Sequence, residues 1–141
     1  MENYKLEKSA SEKKENPFDS LIRRGATIEN DRINENAKII QFHFKEGVST
    51  IRMLFNDPSG DDIIITNMTT LPDTEETRGY GSKAIQEIIS WAKENNLTAI
   101  RAAQVMEYNE SFWIKNGFTK DNEPNGCNDF IYNERVAENN S

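Results

Sequence analysis

The chain has one cysteine, one histidine and four prolines among its 141 residues, and no long apolar run. Cys127 has no second thiol to bond with, and together with His43 it cannot make up the Cys/His set of a structural zinc site. Neither a disulfide framework nor a metal centre is therefore expected. No segment approaches the ~20 apolar residues that cross a bilayer, and the opening "MENYKLEKSASEKKENP" lacks the apolar core of a signal peptide. The expectation is a cytoplasmic protein with no membrane partner. An excess of positive charge is missing as well: 17 Lys and Arg stand against 24 Asp and Glu, a net charge of -7. The cations are scattered, so no basic face for a phosphate backbone is visible and nucleic acid is not expected as a partner. Acidity serves solubility, and it favours a cationic partner over an anionic one.

The length fits one domain with one modest core. Residues 1–16 and 134–141 are polar and without periodicity, which reads as two loose charged tails around a domain over 17–133. "NPFDSLIRRG" places Asn16 before Pro17, sets Phe18, Leu21 and Ile22 at helical spacing and stops at Gly25, the pattern of a short capped helix. A strand is expected over 26–29. "KIIQFHFK" and "STIRMLF" flank Glu46-Gly47 and read as an antiparallel hairpin. "NDPSGDD" is a turn, and the β-branched "IIITNMTTL" after it reads as a central strand covered on both faces. The period then changes. Ala84, Ile85, Ile88, Ile89 and Ala92 make one stripe of a helix that starts near Gly81, and "TAIRAAQV" is a further strand, so the two strands and the helix form a parallel crossover. Asn109 is placed to cap a brief helix, "ESFWIKN", that Gly117 ends, and "DFIYN" follows the turn "DNEPNGCN" as a last strand.

Between strand and helix stands "EETRGYGSKAI", residues 75–85, with two glycines around a tyrosine at the start of a helix. Glycine lets backbone approach an anion, and the free N–H groups of a helix start favour negative charge by ~0.3–1 kcal/mol per nearby charge. Gly79, Gly81 and Ala84 match the relaxed dinucleotide pattern G-x-G-x-x-A, with Glu107 placed to meet a ribose. That pattern wants its first glycine directly after the strand, however, and repeated crossovers. The phosphate loop G-x-x-x-x-G-K-S/T is absent.

The strand ending at Leu71, "ETRGYGSKAI" and the later "FWIKNGF" together resemble the GNAT superfamily of N-acetyltransferases over roughly residues 63–118. The resemblance implies a mixed α/β domain: a mostly antiparallel sheet with one parallel βαβ crossover and helices on both faces. It also implies that acetyl-CoA is the acyl donor and that the glycine loop wraps its pyrophosphate. By position, the cofactor contacts fall to Arg78, Gly79, Tyr80, Gly81, Ser82 and Lys83 at the helix start, to Thr69, Thr70 and Leu71 along the strand, and to Asn109. Glu76 occupies the place where the family has Gln or Arg.

What the resemblance implies about chemistry is direct attack of a primary amine on the thioester. The acceptor would be a small cationic amine or a protein or peptide lysine, and pairing of two copies through sheet edges is common in the family. The family often protonates the departing thiolate with a tyrosine before "x-K-x-G-F", where this chain has Trp113, whose indole is no acid at neutral pH. Tyr108 is the nearest substitute, Tyr132 a remoter one, and water can serve. Glu76, Glu107 or an ordered water remains as base for an ammonium of pKa near ~10.4. His43 belongs to the polar side of its strand's alternation. A second reading keeps the same fold as a non-catalytic module for coenzyme A or a protein partner.

Overall fold

The computed structural model describes residues 16–55, 63–97, 99–122 and 127–133. The tails (apart from Asn16), the turn over 56–62 and part of the turn over 121–128 lie outside them. The elements run α1 (Pro17–Arg23), β1 (Ala26–Asn30), β2 (Ala37–His43), β3 (Val48–Phe55), β4 (Ile63–Leu71), α2 (Tyr80–Glu94), β5 (Ala99–Ala102), α3 (Glu110–Lys115), β6 (Thr119–Lys120) and β7 (Phe130–Asn133). One-turn 3-10 segments precede the last two helices, at Glu75–Thr77 and Glu107–Asn109.

The seven strands form one sheet in the order β1-β2-β3-β4-β5-β7-β6. Every neighbouring pair is antiparallel except β4 with β5, the strands that α2 connects. The mixed, mostly antiparallel sheet with a single parallel crossover is therefore as the element order implies. Two-residue β6, beside β7, is an addition that no run of apolar residues announces.

Register assigns the faces. Ile40 opposes Ile51, Met53 opposes Ile65, and Ile63 opposes Ile100, so these buried side chains share one side of the sheet. Against them α2 lays Ala84, Ile85, Ile88, Ile89, Trp91 and Ala92, each fully or nearly fully buried. Burying an isoleucine or leucine of this kind stabilises the fold by about 1.5–3 kcal/mol. α1 starts as its letters imply: the Asn16 carboxamide oxygen accepts the Phe18 N–H at 2.8 Å. It docks on the same side, where the Trp91 indole N–H donates to the Pro17 carbonyl at 2.7 Å and Phe18 stacks on Trp91. α3 sits there too, its Trp113 edge-on to Phe118, which meets Tyr132. Among the described residues all three helices thus gather on one face. The opposite face presents Gln41, Thr50, Arg52, Asn67 and Thr69 beside half-buried Ile39, Leu54, Ile64 and Ile131, and among the described residues no helix packs on it.

β4 is not covered along its length. Ile63 and Ile65 are buried, but from Thr66 onward its residues alternate between half-buried and exposed. The cause is pairing: β5 runs beside β4 only for Ile63, Ile64 and Ile65, opposite Ile100, Arg101 and Ala102. β4 also carries a bulge, since Arg52 opposes Asn67 while Met53 opposes Ile65, leaving Thr66 as the extra residue.

The β2–β3 turn reaches under the segment after β4. A Cβ on Gly47 would lie 2.7 Å from the Leu71 carbonyl oxygen and 2.8 Å from the Thr77 methyl. Gly47→Ala should therefore cost ~1–3 kcal/mol of stability through forced displacement of this contact. A urea titration with an unchanged midpoint and slope would show that the turn and the segment are not in contact.

Candidate functional site

The sheet opens where β4 loses its partner. The last backbone bond between the two chains is the Ala103 N–H to the Ile65 carbonyl, at 3.0 Å. Gln104 then turns through a left-handed conformation (φ 52°), and its N–H goes to the Asp129 carboxylate at 2.8 Å. The Val105 N–H donates to the Asn128 carbonyl at 3.0 Å, and the Asn128 carboxamide donates to the Val105 carbonyl at 2.6 Å. The chain after β5 is thus drawn toward the segment leading into β7 and away from β4. The gap is a cleft of about 370 Å³ with Thr66, Asn67, Met68 and Thr69 on one wall and Ala103 to Met106, Tyr108, Asn109 and Trp113 on the other. Its lining is free of charged side chains.

A second groove of about 610 Å³ lies over the first turn of α2, lined by Thr70, Asp73 to Glu75, Thr77, Arg78, Gly79, Gly81, Ser82, Asn109, Phe112 and Lys115. A smaller hollow of about 140 Å³ shares Thr70, Gly81, Asn109 and Phe112 with this groove and Met68, Thr69, Asn109 and Trp113 with the cleft. The three spaces form one path from the helix start into the opened sheet, and Asn109 borders all of them.

The helix start is free at its tip and held from two sides. Gly79 takes φ 90°, the left-handed conformation that favours glycine, and the helical ladder begins with the Lys83 N–H on the Gly79 carbonyl at 3.1 Å. The amides of Tyr80, Gly81 and Ser82 precede that ladder and have no carbonyl to meet. On one side the Tyr80 ring stacks on Phe44 (centroids 4.3 Å apart) and its hydroxyl donates to the Glu46 carboxylate. On the other, the buried Asn116 carboxamide donates to the Ser82 hydroxyl at 3.1 Å and to the Phe112 carbonyl at 2.8 Å, and accepts from Gln86 at 3.0 Å. Ser82 is an acceptor in that bond, so its own proton is left to point elsewhere. Thr77, also buried, donates to the Pro72 carbonyl at 2.7 Å and accepts the Thr74 N–H at 3.1 Å, which shapes the loop in front of the helix.

The residues singled out in the sequence separate accordingly. Thr69, Thr70, Arg78, Gly79, Gly81, Ser82, Asn109 and Tyr108 border the path, with Tyr108 81% exposed at the cleft's rim. Tyr80 is 9% exposed and turned into the hairpin tip, and Lys83 is exposed with its ammonium 5.7 Å from the Tyr80 ring. Glu76, Glu107 and Leu71 are exposed and stand outside these linings. Asn109 forms no side-chain cap on α3, since a 3-10 turn precedes that helix in its place. Arg78 pairs with Glu75 at 3.2 Å in a largely exposed ion pair. Trp113 is buried and borders the cleft, Tyr132 belongs to the core, His43 meets the Thr27 hydroxyl at 3.1 Å on the open sheet face, and Cys127 is exposed. Lys115 and Phe112 went unremarked in the sequence. Their signal was the i, i+3 spacing of Asn109, Phe112 and Lys115, which stacks the three on one side of α3.

The Glu46 carboxylate, by accepting its proton, raises Tyr80 above the ordinary tyrosine pKa of 10.0, and removal from water adds to the rise. This contribution to stability is present below the unfolded value and is lost as the pH climbs through the folded one. In an alkaline absorbance titration Tyr80→Phe should delete the tyrosinate that appears at the highest pH. Deletion of an earlier step instead would break the link to Glu46.

Among the described residues no helix is long and apolar enough to cross a membrane, and no group of three or more His, Cys, Asp and Glu is placed to hold a metal ion. No family model matches the chain, and no curated protein matches it. Nineteen chains of solved structures do. One is an acetyltransferase of Bacillus subtilis in complex with CoA, to which this chain is similar at 16% identity and a TM-score of 0.49, over 70% of this chain and 78% of that one.

Proposed function

We propose that the protein is an acetyl-CoA-dependent N-acetyltransferase of the GNAT kind, which passes an acetyl group to a primary amine. The observation that carries this is the continuity of the path from the α2 start to the parted strands. It has anion donors at one end and an uncharged cleft at the other. A donor suited to it is long, phosphorylated at one end and reactive at the other, which describes a coenzyme A thioester. The residues fit that group where the spaces join: a Cβ on Gly81 would press on the Met68 methyl at 3.3 Å and touch Phe112 at 3.4 Å, so a side chain here narrows the passage.

At the anion end the amides of Tyr80, Gly81 and Ser82, the Ser82 hydroxyl, Arg78 and Lys115 would hold the pyrophosphate. Along β4, the backbone groups that face the cleft beyond Thr66 lack a β5 partner and are free to take the arm through Thr69 and Thr70. When bound, the donor supplies a thioester carbon open to attack by a neutral amine. Backbone N–H groups on the cleft wall would stabilise charge on the carbonyl oxygen. The Tyr108 hydroxyl, at the rim, is assigned to the departing thiolate, with solvent as its alternative. Glu76 lies outside the linings, so the acceptor's proton is assigned to water. The acceptor itself is a small cationic amine or a lysine of a protein or peptide.

A specific feature favours a second reading, a module that binds coenzyme A without transfer: buried Trp113 stands where a tyrosine acid would, and no carboxylate lines the cleft. Thiol release from acetyl-CoA across polyamines, aminoglycosides and lysine peptides separates the two, because the module releases none. Binding itself is tested by calorimetric titration with acetyl-CoA. The wild type should bind, and Gly81→Asp should lose at least ~10-fold, about 1.4 kcal/mol, by filling the passage and adding a negative charge. A wild type that gives no binding heat at sub-millimolar protein contradicts the proposal.

A further inference from the structure

The wall of the cleft is set by a side chain that lies on the far face of the sheet. Arg52 forks on Asp31, with Nε and Nη2 at 3.2 Å from its two carboxylate oxygens. Asp31 is itself fixed by the N–H groups of Asn34 (3.0 Å) and Ile33 (3.2 Å) in the β1–β2 connection. The Arg52 guanidinium, by hydrogen bonding, holds this carboxyl down at about 2, so the pair stays charged through the neutral range. An ion pair between connection and strand would be complete with that fork. The third nitrogen instead donates to the Thr66 hydroxyl at 2.9 Å. The Thr66 hydroxyl lies 3.4 Å from the Arg52 carbonyl. Thr66 is the bulged residue of β4, it lines the cleft, and it follows directly on the last residue paired with β5. Bulges re-aim the strand beyond them, and this one stands where β4 becomes a wall.

We propose that Arg52 is a positioning residue for the reactive end of the path. Clamped by Asp31, it pins the Thr66 bulge and thereby fixes where Asn67, Met68 and Thr69 stand in the cleft. The proposal rests on the coenzyme A reading for its ligand. Arg52 touches none of the anion-end residues, so its loss should be felt by the arm of the ligand and not by its phosphates.

The test compares CoA with adenosine 3′,5′-bisphosphate, which keeps a phosphorylated nucleotide and lacks the arm, by calorimetry on the full chain. Arg52→Gln should weaken CoA by roughly fivefold or more while the bisphosphate stays within about twofold, so that CoA's advantage shrinks. Thr66→Val, which leaves the Arg52–Asp31 pair intact, should move the same ratio in the same direction, and it carries the test should Arg52→Gln not fold. Lysine cannot fork on a carboxylate and reach a third acceptor at once, so Arg52→Lys should not restore the ratio. Equal weakening of both probes, or no change in either, overturns the positioning role and leaves the coenzyme A reading standing. A wild type that binds neither probe overturns both.

Discussion

The parting of β4 from β5 after the Ile65–Ala102 pair is the constraint on which the site depends. β5 ends at that pair while β4 runs on to Leu71, and backbone released where a sheet opens must be satisfied elsewhere. On the β5 side this is visible: Gln104 and Val105 take new partners in Asp129 and Asn128, so the strand peels away without leaving these N–H groups orphaned. On the β4 side the strand stays paired to β3 as far as Leu71, and only its outer edge is exposed. The result is a cleft whose wall is fixed backbone. Such a wall can hold a chain-like ligand or polarise a carbonyl without any change in side chains, because its donors are already in place.

The α2 start depends on the same economy of attachment. Its free amides are useful only while the first turn is held still, and the holding is done by side chains that point away from the groove. Tyr80 locks into the hairpin tip through Phe44 and Glu46, while Asn116 fastens Ser82 to α3. Gly81, between these anchors, keeps side-chain bulk out of the passage. The charges around the groove balance, Asp73 and Glu75 against Arg78 and Lys115, so on the proposed reading selection for an anion would fall to the oriented amides and not to net charge.

Much of this was legible in the sequence where one periodicity governed a segment. The 3.6-residue stripe of Ala84, Ile85 and Ile88, the alternation around Phe42 and the Asn16-Pro17 start are local patterns with local causes, and they appear at the expected positions. The glycine loop was legible as a helix start because Gly79 acts through its own backbone, in the left-handed conformation at φ 90°. Side-chain direction was not. Tyr80 and Lys83 sit in the motif yet face away from the groove, since the hairpin tip that captures Tyr80 lies more than thirty residues earlier in the chain. The β-branched letters of β4 suggested cover on both faces, because composition reports a liking for strands and says nothing of where a neighbour departs. Asn109 carried the letter of a cap, and a 3-10 turn took its place. The partnership of Arg52 with Thr66 is also invisible in one dimension, for it joins two strands through a bulge that only pairing reveals.

On the proposed reading, one ligand occupies the helix start and the parted strands together. Backbone amide chemical shifts recorded with and without CoA test it most directly. Such a ligand should give one contiguous set of shifts, at Tyr80, Gly81 and Ser82 and at residues of the 66–70 stretch of β4, with β1 and the open sheet face unmoved. Shifts confined to the helix start, or centred on another surface, would contradict it.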